Sequence, residues 1–383
     1  MKHSPRVRSK LPHLGTTIFT VMSKLATDSG AINLSQGFPS FDCSPELTRL
    51  IHQYMKRGFN QYAPMPGVAA LRERIAEKTA SHYGVDYHPD DEVTITTGAT
   101  EAIFSAISTV VNKGDEVMVI EPAYDSYVPA IMLNGGVPVY ISLGPSFTID
   151  WEAVREKMTP RTKLMIINSP HNPSGKILTP EDLDSLVRLV QGTGIFIISD
   201  EVYEHIVFDG ENHLSLMQQP VLRERTFVCG SFGKTLHLTG WKVGYCLAPR
   251  ELTEEFRKIH QFVTFSVVTP VQYALADFLK DRSHYLALSE FYQYKRDRFL
   301  TAVSSSRFNF TPAQGSFFQI LSYESFSEEY DYDLAVRLTR EAGVASIPVS
   351  VFYHQKKDYK LLRFCFAKSD DELDRAGEIL SRL

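Results

Sequence analysis

Ser231-Phe232-Gly233-Lys234-Thr235-Leu236-His237-Leu238-Thr239-Gly240-Trp241-Lys242-Val243-Gly244-Tyr245 is the stretch on which the reading of this chain turns. The apolar run just before it, Phe227-Val228-Cys229, has the character of a buried strand, so Lys234 falls just past a strand end. Lysine is ordinarily a solvated surface residue. Gly233, Gly240, Trp241 and Gly244 are poor company for a surface lysine. A lysine held in a tight, partly dry turn loses its proton more readily and attacks carbonyl carbons. Lys242 supplies a second cation in the same segment.

Outward from this segment the pattern is regular. Strands are predicted over residues 92–97, 116–120, 137–143, 163–168 and 195–199, and helices over 101–111, 124–133 and 180–190. Such alternation implies a mostly parallel sheet covered on both faces, whose ligands bind at the carboxyl ends of the strands. Gly98-Ala99-Thr100 is predicted as a turn leading into a helix. The free N–H groups and dipole at a helix start make a seat for phosphate, although many such turns only connect elements. Asn168-Ser169-Pro170-His171-Asn172-Pro173-Ser174-Gly175 is a loop held by prolines and a glycine. Ser199-Asp200-Glu201-Val202-Tyr203 puts a carboxylate at a buried strand end, where it needs a cationic or hydrogen-bonding partner.

The flanks carry further candidates. Residues 31–40 read as a short strand ending at Gly37-Phe38-Pro39. Gln61-Tyr62-Ala63-Pro64-Met65-Pro66-Gly67 precedes a helix from residue 68 to about 83. Residues 252–303 are predicted helical, with a long charged segment bridging two domains. Gln314-Gly315-Ser316-Phe317-Phe318 reads as strand at the mouth of the site, and residues 334–342 as helix. Leu361-Leu362-Arg363-Phe364-Cys365-Phe366-Ala367 is a strand built around one arginine. A cation there is costly unless paired, either structurally or with a ligand anion. Residues 370–383 close the chain as an amphipathic helix.

Taken in order, these motifs resemble the class I/II, fold type I aminotransferases that use pyridoxal 5'-phosphate, in particular the methionine/kynurenine/glutamine branch. The resemblance runs from Gly37 to Arg363. It implies an α/β fold with a mostly parallel seven-stranded sheet in a large domain (residues 45–280). A smaller α+β domain would combine both ends of the chain (1–44 and 281–383). Lys234 would carry the cofactor's aldehyde and later act as catalytic base. Gly98, Ala99, Thr100, Ser231 and Lys242 would hold the phosphate. Tyr124 would stack on the ring, Asp200 would pair with the ring nitrogen, and Asn172 and Tyr203 would donate to the ring oxygen. Gly37, Asn172 and Arg363 would bind the substrate, with Arg363 gripping its carboxylate and Phe38 facing its side chain. Tyr62 would reach the partner's cofactor phosphate in a homodimer. The chain departs from the family pattern at Lys242, where many members have arginine, and at Gly233, where many have serine.

Composition narrows the rest. The chain has 383 residues, a net charge of -5 and a hydrophobic fraction of 43%, ordinary values for a globular protein without a nucleic-acid or anionic-membrane surface. The basic stretch at residues 1–12 has no apolar core behind it and does not read as a secretory signal. No apolar run reaches the roughly 20 residues of a membrane span. Cys43, Cys229, Cys246 and Cys365 lie far apart with no metal spacing, so no metal site is expected. Free thiols point to a cytoplasmic protein. The resulting expectation is an aminotransferase that passes the amino group of an L-amino acid, methionine foremost with aromatic amino acids or glutamine accepted, to a 2-oxo acid. A carbon–sulfur β-lyase acting on cystathionine or cysteine conjugates would present the same lysine, aspartate and arginine. A cofactor-binding regulatory domain is a weaker rival, because the fold begins almost at once with no DNA-binding head ahead of it. Residues 1–30 are a candidate cover for the substrate.

Overall fold

The computed structural model describes residues 7–383. Residues 1–6, part of the basic amino-terminal stretch and of the candidate cover, lie outside the described residues. In chain order the strands are β1 (Ile32–Asn33), β2 (Val93–Thr96), β3 (Glu116–Glu121), β4 (Val137–Ser142), β5 (Thr162–Asn168), β6 (Phe196–Asp200), β7 (Thr226–Ser231), β8 (Gly244–Leu247), β9 (Phe318–Ser322), β10 (Val344–Ala345), β11 (Ile347–Pro348) and β12 (Leu361–Cys365).

Seven of them form one sheet in the order β2-β8-β7-β6-β5-β3-β4. Every neighbouring pair is parallel except those made by β8, which runs antiparallel to β2 and β7. The strands are continuous apolar runs because both sheet faces are covered. Val117 and Val119 of β3 pack with Ile103, Ile107 and Phe227 on one face. Met118 and Ile120 pack with Met165, Leu183 and Leu186 on the other. The expected fold class, α/β with a mostly parallel seven-stranded sheet, is what the chain adopts.

A second sheet, β11-β12-β9, is antiparallel. β12 is its central strand, with Arg363 opposite Ile347 on one side and Ile320 on the other. A short parallel pair, β1 and β10, ties the amino-terminal part of the chain to this region.

Several local predictions are corrected. Gly98-Ala99-Thr100 is the first turn of helix Gly98–Val110 and not a separate turn. Tyr124 does not begin a helix; the helix runs Tyr127–Leu133. The strand predicted over 31–40 shortens to Ile32–Asn33, and only Phe318 of Gln314–Phe318 belongs to a strand. The helical span 252–303 breaks into Arg250–Val263, Thr269–Phe278, Ser283–Leu286 and Leu288–Val303. Its first break coincides with Pro270 in the opening turn of the second helix, where a missing N–H costs nothing. The sequence reading also missed helix Trp151–Glu156, whose start is capped by Asp150 accepting from the N–H groups of Glu152 and Ala153.

Candidate active site

The carboxyl ends of β2, β5, β6 and β7 and the start of antiparallel β8 meet at one edge of the sheet. Gly98 follows β2, the loop holding Asn172 leaves β5, Asp200 ends β6, Ser231 ends β7, and Lys242 precedes β8. They enclose a cavity of about 260 Å³, closed from the other side by Arg363 of β12 and by Gly37. Every site residue named from the sequence lines it except Phe38 and Tyr62.

At one end the backbone is shaped for an anion. Gly98 opens its helix at φ +72°, and a Cβ there would lie 3.3 Å from Lys242 Nζ. Lys242 itself takes the left-handed conformation, φ 53° and ψ 51°, unusual for a residue with a side chain. A Cβ on Gly244 would fall 2.9 Å from the backbone nitrogen of Ala99. These glycines keep the helix start and the lysine close together. Helix dipole, unpaired N–H groups and a cation then point at one spot. Gly233 also has a packing reason, because a Cβ there would sit 3.1 Å from Thr239 Cα.

In the middle, Asp200 is buried, with Tyr127 Oη donating to its Oδ2 and the Val202 N–H 3.4 Å from its Oδ1. Burial pushes its carboxyl up to about 6, while the Tyr127 hydrogen bond and the charge of Lys234 pull it down. Asn168 braces this region: its Nδ2 donates to the Asp200 carbonyl at 2.8 Å, and its Oδ1 accepts from the Asn172 N–H at 2.8 Å. Tyr203 is buried, and burial raises its phenol well above the usual range. Tyr124 stands half-buried beside Tyr127, ring edge to ring face.

Lys234 sits in a single helical turn, Phe232–Thr235, immediately after β7. Its Nζ donates to the Gly37 carbonyl at 2.7 Å. Burial lowers its ammonium to about 8, and Arg363 and Lys242 push the same way by charge repulsion.

Arg363 is fully buried. Its Nη1 donates to Asn172 Oδ1 at 2.8 Å and its Nη2 to the Ser35 carbonyl at 3.0 Å. Its guanidinium lies 3.9 Å from the centre of the Phe318 ring. Its Nε has no hydrogen-bond partner, and among the described residues no carboxylate lies within ion-pair distance of it. Burial lowers its value to about 10. Because Asn172 Oδ1 is taken by the guanidinium, the amide N–H₂ of Asn172 is the end free to donate elsewhere.

The two exceptions are informative. Phe38 is 44% exposed and does not line the cavity; its carbonyl accepts from Lys368 Nζ at 3.0 Å. The aromatic wall is supplied by Phe19 and Phe318. Phe19 belongs to helix Ile18–Ser29, where the sequence carried few signals. Gln36 Nε2, donating to the Phe19 carbonyl at 3.1 Å, ties that helix to the loop before Gly37. Tyr62 is 82% exposed, and its ring meets that of Phe265 edge to face, 5.3 Å between ring centres. Tyr127 was missed too. Its position after a strand end gave a hint, but its bond to Asp200 joins a helix start to the end of β6, 73 residues further along the chain.

Among the described residues no His, Cys, Asp and Glu cluster suits a metal ion, and no helix is long and apolar enough to cross a membrane. The four cysteines are free, and Cys229, Cys246 and Cys365 are buried in strands.

Comparison with known proteins identifies the family. The family model described as aminotransferase class I and II matches residues 29–380. A methionine aminotransferase from Escherichia coli (strain K12) is 48% identical over 386 residues, covering 100% of both chains. A kynurenine–oxoglutarate transaminase from Dictyostelium discoideum is 35% identical, covering 96% of this chain and 94% of its own. A solved Escherichia coli structure, reported with a methionine aminotransferase function, superposes with a TM-score of 0.97 at 48% identity. It covers 99% of this chain and 100% of that one.

Proposed function

The chain belongs to the class I and II aminotransferases, and on that premise we propose that it passes the α-amino group of methionine to a 2-oxo acid, with aromatic amino acids and glutamine as further donors. The observation that carries the reading is Arg363. A guanidinium this buried, with no carboxylate among the described residues in ion-pair distance, is costly unless a ligand anion completes it. It faces the cavity that Lys234 also lines, so an α-carboxylate on Arg363 brings an α-carbon within the reach of Lys234.

The residues present fit pyridoxal 5'-phosphate. The phosphate would sit on Gly98, Ala99, Thr100, Ser231 and Lys242, where glycines leave the space that side chains would fill. Asp200, a buried carboxylate that burial disfavours, would gain a cationic partner in the ring nitrogen. Tyr124 would lie on the ring face, with Asn172 and Tyr203 donating to the ring oxygen. When bound, the cofactor supplies an electrophilic aldehyde and a ring that accepts the electron pair of the substrate α-carbon. Lys234 is the amine that would carry the aldehyde. A value near 8 leaves it deprotonated in part at neutral pH, as a nucleophile and base must be. Arg363 and Asn172 orient the substrate, and Lys234 Nζ takes the proton from its α-carbon. Phe19 and Phe318 help exclude water.

The preference for methionine rests on two supports. The cations lining the cavity are Lys234, Lys242 and Arg363, which this reading assigns to the aldehyde, the phosphate and the α-carboxylate, so among the described residues none is spare for an acidic side chain. The rest of the wall combines apolar side chains, among them Phe19, Ile103, Val202 and Phe318, with the uncharged polar Gln36, Asn168 and Thr239, a lining that suits an uncharged, weakly polar thioether. Apolar pockets separate near-isosteres by only about 1–3 kcal/mol, hence the breadth proposed. The comparisons lend no support to the β-lyase.

A homodimer with Tyr62 at the partner's phosphate is part of the proposal. Tyr62, Phe262, Phe265 and Val268 are all exposed, an apolar surface that a second copy would cover. So are the division into a large domain (45–280) and a small one (1–44 and 281–383), and a cytoplasmic setting, which the free thiols fit.

The deciding experiment is the visible spectrum of the purified protein with pyridoxal phosphate. The cofactor band should shift on adding methionine and return on adding a 2-oxo acid. Ammonia and pyruvate released from cystathionine, with an unmoved band, would replace the transaminase reading by the lyase.

A further inference from the structure

Two of the groups proposed to flank the cofactor ring share one neighbour. Tyr127 is buried at the start of its helix. Its hydroxyl donates to Asp200 Oδ2 and makes no other hydrogen bond among the described residues. Its ring meets that of Tyr124 at an interplanar angle of 77°, with centres 5.8 Å apart. Asp200 Oδ1, by contrast, has only the 3.4 Å contact from the Val202 N–H. The carboxylate is therefore held on one oxygen and open on the other.

We propose that Tyr127 is a positioning residue for transamination, holding the Asp200 carboxylate through Oδ2 and backing the Tyr124 ring, so that both meet the cofactor ring in fixed geometry. The inference rests on the cofactor reading given above. Packing alone needs no hydroxyl here, because phenylalanine would fill the same space. The hydroxyl is spent on a carboxylate whose charged form burial disfavours, and its hydrogen bond is the largest influence keeping that form available. Lys234 assists by charge, and Glu201 opposes.

The test is a double-mutant cycle on cofactor binding, using Tyr127→Phe, Asp200→Asn and the pair. Tyr127→Phe should raise the dissociation constant of pyridoxal phosphate about tenfold or more, as loss of a hydrogen bond to a charged acceptor does. It should lower kcat at least as strongly while the methionine KM moves by less than about threefold, since Tyr127 does not line the cavity holding Arg363 and Lys234. In the Asp200→Asn background the same substitution should change binding by less than about twofold, because the bond to the carboxylate is already gone. Equal losses in both backgrounds would overturn the proposal, as would a KM that rises in step with any fall in kcat. If Tyr127→Phe alone does not fold, Asp200→Asn should restore a soluble protein by removing the stranded carboxylate, and failure to do so counts against the proposal. A wild-type protein that takes up no pyridoxal phosphate defeats the cofactor reading itself. A wild-type protein that binds it, with independent effects in the cycle, defeats only the role of Tyr127.

Discussion

Lys234 Nζ and the carbonyl oxygen of Gly37 are joined by a 2.7 Å hydrogen bond between parts of the chain 197 residues apart. The exit of β7 is thereby tied to the loop that follows β1. That loop is tightly seated, since a Cβ on Gly37 would lie 2.8 Å from Phe318 Cζ, and Phe318 in turn lies against Arg363.

Gly37→Ala should accordingly push Phe318 and loosen the arginine behind it. The expected outcome is a higher KM for every amino acid, together with a stability loss of about 1–3 kcal/mol, the usual cost of overpacking. Steady-state kinetics and denaturant unfolding check the two halves of this separately.

Lys234→Met should abolish turnover, with a loss of at least about 10²-fold from removal of the base alone, yet stabilise the protein lacking cofactor. A lysine whose folded value is about 8 binds fewer protons folded than unfolded above that pH. Its burial penalty is therefore fully present below about pH 8 and fades as the pH rises towards the ordinary lysine value of about 10.4. Thermal melts should show the variant ahead at pH 7 and the gap narrowing by pH 10.

Asp200→Asn should behave in the mirrored sense. The folded carboxyl, raised to about 6, carries a penalty present above that pH and lost as the pH falls towards its unfolded value of about 3.9. Without cofactor the variant should melt higher than wild type at pH 7.5 and lose that lead near pH 4. With pyridoxal phosphate added the order should reverse, because only wild type has an anion for the ring nitrogen.

Arg363→Lys should raise the KM for methionine and for phenylalanine by a similar factor, about tenfold or more, since one charge-assisted bond is worth about 1.5–3 kcal/mol. The ammonium cannot reproduce a fork that also reaches Asn172 and the Ser35 carbonyl. A change confined to one of the two substrates would contradict a carboxylate grip.

Mixing Lys234→Ala with Tyr62→Ala tests the dimer. If Tyr62 acts across the interface, a mixed dimer holds one site with both residues intact. Refolding the two variants together should then recover cofactor binding at wild-type affinity in part of the sites. Spectrophotometric titration reads this directly, and no recovery would place Tyr62 outside the site.

The strand ends were legible because each is an apolar run followed by turn chemistry, which needs only neighbours in sequence. For that reason the positions of Gly98, Asn172, Asp200 and Lys234 at or just past strand ends are legible in the sequence. Boundaries moved where a backbone preference was hidden. The turn at Gly98 became a helix start, and residues 252–303 divided into several helices. Phe38 was misjudged for a different reason. Sequence places it beside Gly37, but whether its ring turns to the cavity or to Lys368 depends on what packs behind it.

By itself, the sequence determined the parallel sheet, the order of the functional segments along it and the chemistry each residue type can perform, since these follow from local pattern and side-chain identity. Only the tertiary structure decided that Arg363 is buried without a carboxylate beside it among the described residues, that its bond to Asn172 leaves that amide's N–H₂ free, that Phe19 and not Phe38 lines the cavity, and that Tyr127 donates to Asp200. Each of these joins residues far apart in the chain. Burial and partner choice set their charge and orientation, and both exist only once the sheet edge and β12 have closed on the same space.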